Sequence, residues 1–247
     1  MNTWIQGPML FGVTMNNETI VIMGNGPSLK DVDFNMLDGF DTFGLNSAYR
    51  AYERLDWWPK YHGCFDYRVT KNHQESFTNL IENSPIEKCF YILNISDSTD
   101  FQYINMREYG VTNRWNKTVD DFNEFHDNGN SGANACSVAS CLGYKKIVLV
   151  GVDCNYIEFV EGSSMDGSAL KMDETPDSNP NYWFDDYQQK GDEYNVPSFE
   201  CNYSDVFGFF LTGEDGTTTN LAVLPDTDTP ILITNVHPEN SDCPAAN

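Results

Sequence analysis

Two short apolar runs, rich in β-branched residues and each broken by glycine, constrain this chain more than anything else in it. Thr19-Ile-Val-Ile-Met23 stops at Gly24-Asn25-Gly26-Pro27-Ser28, and a second run, Lys146-Ile-Val-Leu-Val-Gly-Val-Asp153, closes on a carboxylate. Runs this short and this apolar read as strands buried on both faces, the pattern of parallel sheets covered by helices. A small-residue helix is predicted over 131–142, with Ala133, Ala135, Cys136 and Ala139 along it and Gly143 as its C-terminal cap. Lys145 and Lys146 follow, where the helix dipole favours cations. Helix, tight turn and buried strand make half of a βαβ unit. The predicted fold class is α/β: a Rossmann-like, mostly parallel sheet flanked by helices, in a single domain over 1–247.

The rest of the pattern fills in that frame. Strands are predicted over 41–46, 61–65, 89–95 and 230–236, and helices over 47–55 and 71–83. A short helix is predicted to start at Ser28, whose spacing to Asp31 fits a capping box. Residues 1–17 read as a poorly patterned lead-in, and 96–130 are polar without a clear period. Residues 155–197 are rich in Asp, Asn, Pro, Gly and Tyr. A loop so long is unusual unless functional, so it reads as an irregular lid over the substrate. The Gly- and Thr-rich stretch over 199–229 fits no element.

With 40% apolar and 14% aromatic residues the chain can bury a core. Its 14 Lys and Arg stand against 37 Asp and Glu, a formal charge of −23. Such a field repels polyanions, so nucleic acid is not an expected partner. Physiological salt screens it beyond roughly 8 Å, so an anionic ligand can bind where local donors oppose it. Seven cysteines, an odd number without CxxC or Cys/His spacing, fit reduced thiols in a cytoplasm. No signal peptide and no membrane-length run are evident.

The chemistry-bearing residues fall on one edge. Gly24, Asn25, Gly26, Pro27 and Ser28, then Asn46, Asp66, Ser131 with Gly132, and Asp153 all lie at strand C-terminal ends or helix N-termini. Open parallel sheets bind ligands at that edge, above all at the topological switch point. Adjacent strands are about 5 Å apart, so three ends span roughly 10 Å, the reach of a nucleotide phosphate ester. Gly24 and Gly26 would admit close backbone approach, Asn25 would bond a ribose or phosphate oxygen, and Pro27 and Ser28 would start a helix able to favour an anion. The turn lacks the full dinucleotide fingerprint and the Walker lysine, which excludes the usual nicotinamide and P-loop sites.

Val21-Ile-Met-Gly-Asn-Gly-Pro-Ser-Leu-Lys30 and Ser131–Asp153 resemble the two signature stretches of the glycosyltransferase family 42 sialyltransferases. They also resemble the related domain-of-unknown-function 115 proteins, which include the pterin diphosphokinase MptE-like group. Phe43-Gly-Leu-Asn46 is similar to a third stretch of that kind. The likeness spans 19–66 and 131–195. It implies a metal-independent variant of the GT-A fold and a CMP-sugar donor, with no separate cofactor. Asn25, Asn46, Asn130, Ser131 and Gly132 would then contact nucleotide, ribose or phosphate. The chain differs where those sialyltransferases carry an arginine before the Ser-Gly pair, reading Asp127-Asn-Gly-Asn130. It has Asn155, with Tyr156 adjacent, where they place a tyrosine, and no histidine in 181–187.

The expected activity is transfer of a sugar from a nucleotide donor to a glycan or other hydroxyl acceptor. Asp185 or Asp186 would be the general base, and Tyr156 and Tyr182 would bond the departing phosphate. Two other readings accompany it, diphosphate transfer of the MptE-like kind and nucleotide binding without catalysis. Asp31-Val-Asp33 and Asp226-Thr-Asp228 mimic a DxD metal motif, and the four histidines show no metal-ligand spacing. Trp57-Trp58-Pro59 reads mainly as core packing.

Overall fold

The computed structural model describes residues 9–10, 13–14, 18–93, 95, 103–105, 131–153, 160–195, 221–223 and 230–233. In chain order the strands are β1 (Met9–Leu10), β2 (Val13–Thr14), β3 (Thr19–Met23), β4 (Asp41–Leu45), β5 (Tyr61–Cys64), β6 (Lys88–Tyr91), β7 (Tyr103–Asn105) and β8 (Lys146–Val150). They continue with β9 (Ser163–Asp166), β10 (Ala169–Met172), β11 (Glu193–Asn195), β12 (Leu221–Val223) and β13 (Pro230–Ile233). The α-helices are α1 (Tyr49–Tyr52), α2 (Tyr67–Asn72), α3 (Gln74–Asn83) and α4 (Ser131–Cys141).

Eight strands form the main sheet in the order β12-β13-β8-β3-β4-β5-β6-β7. All neighbours pair parallel except β12, which runs antiparallel on β13 at one edge. The chain steps outward from β3 to β7, then returns to lay β8 against the free side of β3. The β3/β8 pair is therefore the topological switch point. Its register matches Thr19 with Lys146 and Met23 with Val150, so both runs end level on the same edge.

Side chains alternate across this pair, as the pleat requires. Ile20, Ile22, Ile147 and Leu149 share a buried cluster with Ala135, Cys136, Val138 and Ala139 of α4. Of the small residues predicted from the sequence, Ala135, Cys136 and Ala139 thus lie on the face of α4 against the sheet. Val21, Met23, Val148 and Val150 pack on the other side with Leu29, Leu37, Tyr52, Val69, Phe77 and Leu80. A one-residue slip would exchange these faces throughout, so burial on both sides fixes the register. Cys64, Cys89 and Cys136 are buried and Cys141 is half-buried, all as free thiols, and burial pushes Cys89 and Cys136 up to about 12. Cys154, Cys201 and Cys243 lie outside the described residues. No helix among the described residues is long and apolar enough to cross a membrane.

Several predicted elements are modified. The strand over 41–46 ends at Leu45 because Asn46 turns to φ +52. The helix over 47–55 is a 3-10 turn (Asn46–Ala48) leading into the single turn of α1. The helix over 71–83 begins earlier, at Tyr67, and breaks at His73 into α2 and α3. Gly143, at φ +87, ends α4 as expected. Within 96–130 only β7 is described.

The largest correction concerns the predicted irregular lid. Residues 160–195 carry a three-stranded antiparallel sheet in the order β11-β10-β9 and a 3-10 turn at Asp185–Tyr187. Val160, Leu170, Met172, Trp183, Tyr187 and Tyr194 belong to the same buried cluster as the sheet face beneath them. Asp192 fastens this unit. Arg50 reaches both its oxygens at 2.5 and 2.8 Å, Gln189 N and Tyr194 Oη each donate to Oδ2 at 2.8 Å, and His73 Nε2 stands 3.1 Å from Oδ1. Burial opposes the charge on Asp192, but its bonds to Arg50 and contact with His73 outweigh that and hold the carboxyl well below the usual range.

Asp192→Asn leaves Arg50 buried without its counter-charge and should cost about 3–5 kcal/mol at neutral pH. The native carboxyl is depressed, so its contribution is complete above the unfolded value near 4 and fades as pH falls below it. Urea unfolding at pH 7 and pH 3 should show the gap between wild type and variant narrowing at the lower pH.

Candidate functional site

The carboxyl edge at the switch point is built by two turns that zip together. Gly24 N donates to Val150 O and Gly26 N to Gly151 O, each at 2.8 Å, extending the β3/β8 ladder past the strands. A Cβ on Gly24 would overlap the Gly151 carbonyl, and one on Gly26 would overlap the Asp153 carboxylate. These glycines therefore admit the neighbouring turn of the same chain. Pro27–Asp31 is a five-residue 3-10 helix whose N-cap is Gly26, without a side-chain capping bond. The proposed Ser28 cap is thus replaced. Ser28 N donates to Asp153 Oδ2 at 3.0 Å, so the chain's own carboxylate occupies the anion position expected there. Pro27 is exposed, and Ser28 is buried with its hydroxyl unbonded.

Beside this zipper, the backbone at 45–47 draws in three remote segments. Asn25 Nδ2 donates to Leu45 O at 3.1 Å, while Asn25 Oδ1 is buried without a partner. Ser131 Oγ, at the first residue of α4, donates to Asn46 Oδ1 at 3.1 Å. Ser47 N donates to Tyr187 Oη at 3.2 Å, and Ser47 Oγ lies 3.1 Å from Tyr194 Oη. The glycine turn and the start of α4, predicted to share one cleft, thus meet through Leu45 and Asn46. Gly132 follows Ser131 in the first turn of α4, half-buried.

His62 lies below this point, fully buried on β5 opposite Gly44 of β4. Tyr52 Oη stands 3.0 Å from its Nδ1, and Gly44 leaves the space that this hydroxyl fills. Nε2 lacks a well-directed hydrogen bond. Burial drives His62 down to about 3, and the Asn46 backbone only partly offsets it. The ring under Asn46 is neutral.

Other predicted residues take different roles. Asp66 caps α2, accepting from Arg68 N at 2.8 Å and Val69 N at 3.2 Å. It also accepts from Asn195 N at 3.1 Å and Asn195 Nδ2 at 2.8 Å, so its carboxylate ties β11 to α2. Asp186 pairs with Arg54 at 2.8 Å on the surface, and Asp185 is exposed. None of their bonds reaches Asn25, Asn46 or Ser131. Tyr182 stacks on Tyr187 at 3.8 Å between ring centres. Asp33 caps the 3-10 helix Phe34–Leu37 by accepting from Asn35 N, and Trp57 packs edge-on to Phe34 and Tyr52. Asn130, Tyr156, Asp226, Asp228, His126 and His237 lie outside the described residues.

The sequence pattern singles out none of Ser47, His62, Tyr187 and Tyr194 as site residues. The one signal for Ser47 is its place after Asn46. Nothing in the local pattern distinguishes Tyr187 or Tyr194 from the other tyrosines of the segment.

The Choice-of-anchor L domain matches residues 150–247, fewer than half of the chain. That range holds Asp153 and the 160–195 unit, while Asn25, Asn46 and Ser131 precede it. No curated protein matches. The sialyltransferase CstII of Campylobacter jejuni, solved with the substrate analogue CMP-3FNeuAc, is similar at 25% identity over 56% of this chain and 65% of its own, with a TM-score of 0.36. The monofunctional α-2,3-sialyltransferase Cst-I of the same organism is similar at 24% identity over 70% and 61%, with a TM-score of 0.38. An α-2,3-sialyltransferase of C. jejuni in apo form is similar at 26% identity over 56% and 60%, with a TM-score of 0.35. The chain spans less than two thirds of the length of each of these three structures.

Two outcomes follow from the packing at this edge. Gly26→Ala should destabilise the fold by about 1–3 kcal/mol, the usual cost of overpacking, as the zipped turns part; thermal unfolding measures it. The native His62 is depressed to about 3 from an unfolded value near 6.5, so its share of stability is complete above pH 6.5 and declines as pH falls towards 3. His62→Asn should show a shallower stability loss over that window in pH-resolved denaturation.

Proposed function

We propose that the chain, acting as a single α/β domain of GT-A-like type, binds a nucleotide-activated sugar at the edge formed by Asn25, Asn46, Ser131 and Gly132. Transfer of the sugar to a hydroxyl acceptor is the activity this arrangement supports best. The observation that carries the reading is the meeting of the glycine turn and the start of α4 on Leu45 and Asn46, beside the switch point. The resemblance of 19–66 and 131–195 to family 42 sialyltransferases supports it, with CMP as the expected nucleotide. Asn25 Oδ1, buried and unpartnered, is a hydrogen-bond acceptor in want of a donor such as a ribose hydroxyl. Ser131 and Gly132 begin an eleven-residue helix, and the dipole of such a helix favours a phosphate at that end.

One observation favours the narrower reading of nucleotide binding without transfer. Asp186 is committed to Arg54 and Asp185 is exposed. Asp185→Asn and Asp186→Asn separate the two. Lost turnover of a good donor with retained binding assigns one of them as the base, and no turnover by the wild type leaves binding alone.

Titration calorimetry with CMP, UDP and GDP, with and without Mg²⁺, tests the site itself. Asn25→Ala, Asn46→Ala and Ser131→Ala should each weaken the preferred nucleotide about tenfold or more, the usual loss for a bond to a charged group. Equal affinity in all three variants, or no nucleotide binding by the wild type, overturns the assignment. A requirement for Mg²⁺ with a nucleoside triphosphate would instead indicate diphosphate transfer.

A further inference from the structure

The proposed site depends on Asn46 keeping a left-handed backbone, which L-residues rarely adopt without support. The support comes from the unit predicted to be a lid. Ser47, the next residue, is fully buried, and both its amide and its hydroxyl are held by tyrosines 140 and 147 positions further along. Ser47 N donates to Tyr187 Oη. Tyr194 Oη has one proton, and it lies 2.8 Å from the ionised Asp192 Oδ2, so it donates there and receives the Ser47 hydroxyl proton in turn. Asp192 is gripped by Arg50, which also donates to Tyr187 O at 2.7 Å. Tyr187, Tyr194 and Asp192 are all buried, so water does not compete for these bonds.

We infer that Tyr187 and Tyr194 are positioning residues for the donor site: through Ser47 they hold Asn46 where it meets Ser131, and the 160–195 unit works as a fixed clamp on nucleotide affinity. This rests on the reading of the Asn46 edge as the nucleotide site. It adds determinants of affinity that lie outside the three signature stretches, 21–30, 43–46 and 131–153. Tyr187→Phe keeps the ring that stacks on Tyr182 and removes only the oxygen that Ser47 uses. A comparable hydroxyl serves as control. Tyr144 Oη bonds Asp41 and Tyr61 at the opposite edge of the sheet, where β4, β5 and β8 begin.

The experiment uses the full chain and two readouts, amide hydrogen exchange at Ser47 and CMP affinity by calorimetry. Tyr187→Phe should speed exchange at Ser47 and weaken CMP about tenfold, the usual effect of orphaning a buried donor, while Tyr144→Phe changes neither. Unchanged exchange at Ser47 overturns the inference. So does faster exchange with unchanged affinity, and so does an equal loss of affinity in Tyr144→Phe. Should Tyr187→Phe fail to fold, Tyr194→Phe, which frees the Ser47 hydroxyl, is read by CMP affinity alone, and a loss no greater than in Tyr144→Phe overturns the inference. A wild type that binds neither CMP, UDP nor GDP defeats the site assignment and the effect on affinity together, while Ser47 exchange in Tyr187→Phe still decides the clamp.

Discussion

An asparagine at φ +52 organises the carboxyl edge of this sheet. Left-handed backbone costs an L-residue roughly 1–2 kcal/mol, and asparagine is among the few that tolerate it. The strain is offset by its neighbourhood. Leu45 O accepts from Asn25, Asn46 Oδ1 from Ser131 Oγ, and Ser47 N gives its hydrogen to Tyr187. Three segments far apart in sequence thus converge on three consecutive residues. Disturbing any of them is felt by the others, because the buried polar groups at this point find their partners only in the assembled fold.

The same edge shows where the few cations go. Arg50 binds Asp192 and the Tyr187 carbonyl, Arg54 binds Asp186, and Arg68 reaches Asn195 Oδ1 at 2.7 Å. All three run from the α1–α2 region to residues 186–195, where they act as fasteners. In a chain carrying −23, the residues proposed to meet a phosphate, Asn25, Asn46, Ser131 and Gly132, are neutral. Helix amides and asparagine side chains suit that task, because they add dipoles without needing a further buried charge. The neutral His62 beneath Asn46 fits the same pattern.

The glycine turn shows how one motif supports two readings. Glycine after a buried strand permits close approach, but sequence does not say by what. Here Gly24 and Gly26 face the Gly151 carbonyl and the Asp153 carboxylate, and the latter takes the Ser28 amide that a ligand anion would have used. Asp66 is similar, since an acid at a strand end serves equally as a ligand contact or a helix cap, and here it caps α2 and ties down β11.

Local pattern alone determined the β3 and β8 strands, the small-residue face of α4, its glycine stop and the parallel frame. Each depends on periodicity or on the backbone freedom of single residues, which neighbours in sequence already reveal. It also placed Asn25, Asn46 and Ser131 at strand and helix ends, enough to anticipate that they would share an edge. Only the tertiary structure decided that 160–195 is a packed antiparallel unit, that Asp186 faces Arg54, and that Ser47 is held by Tyr187 and Tyr194. The last two outcomes rest on pairings across more than a hundred residues. A tyrosine or aspartate in a polar stretch carries no mark of which distant group will reach its oxygen.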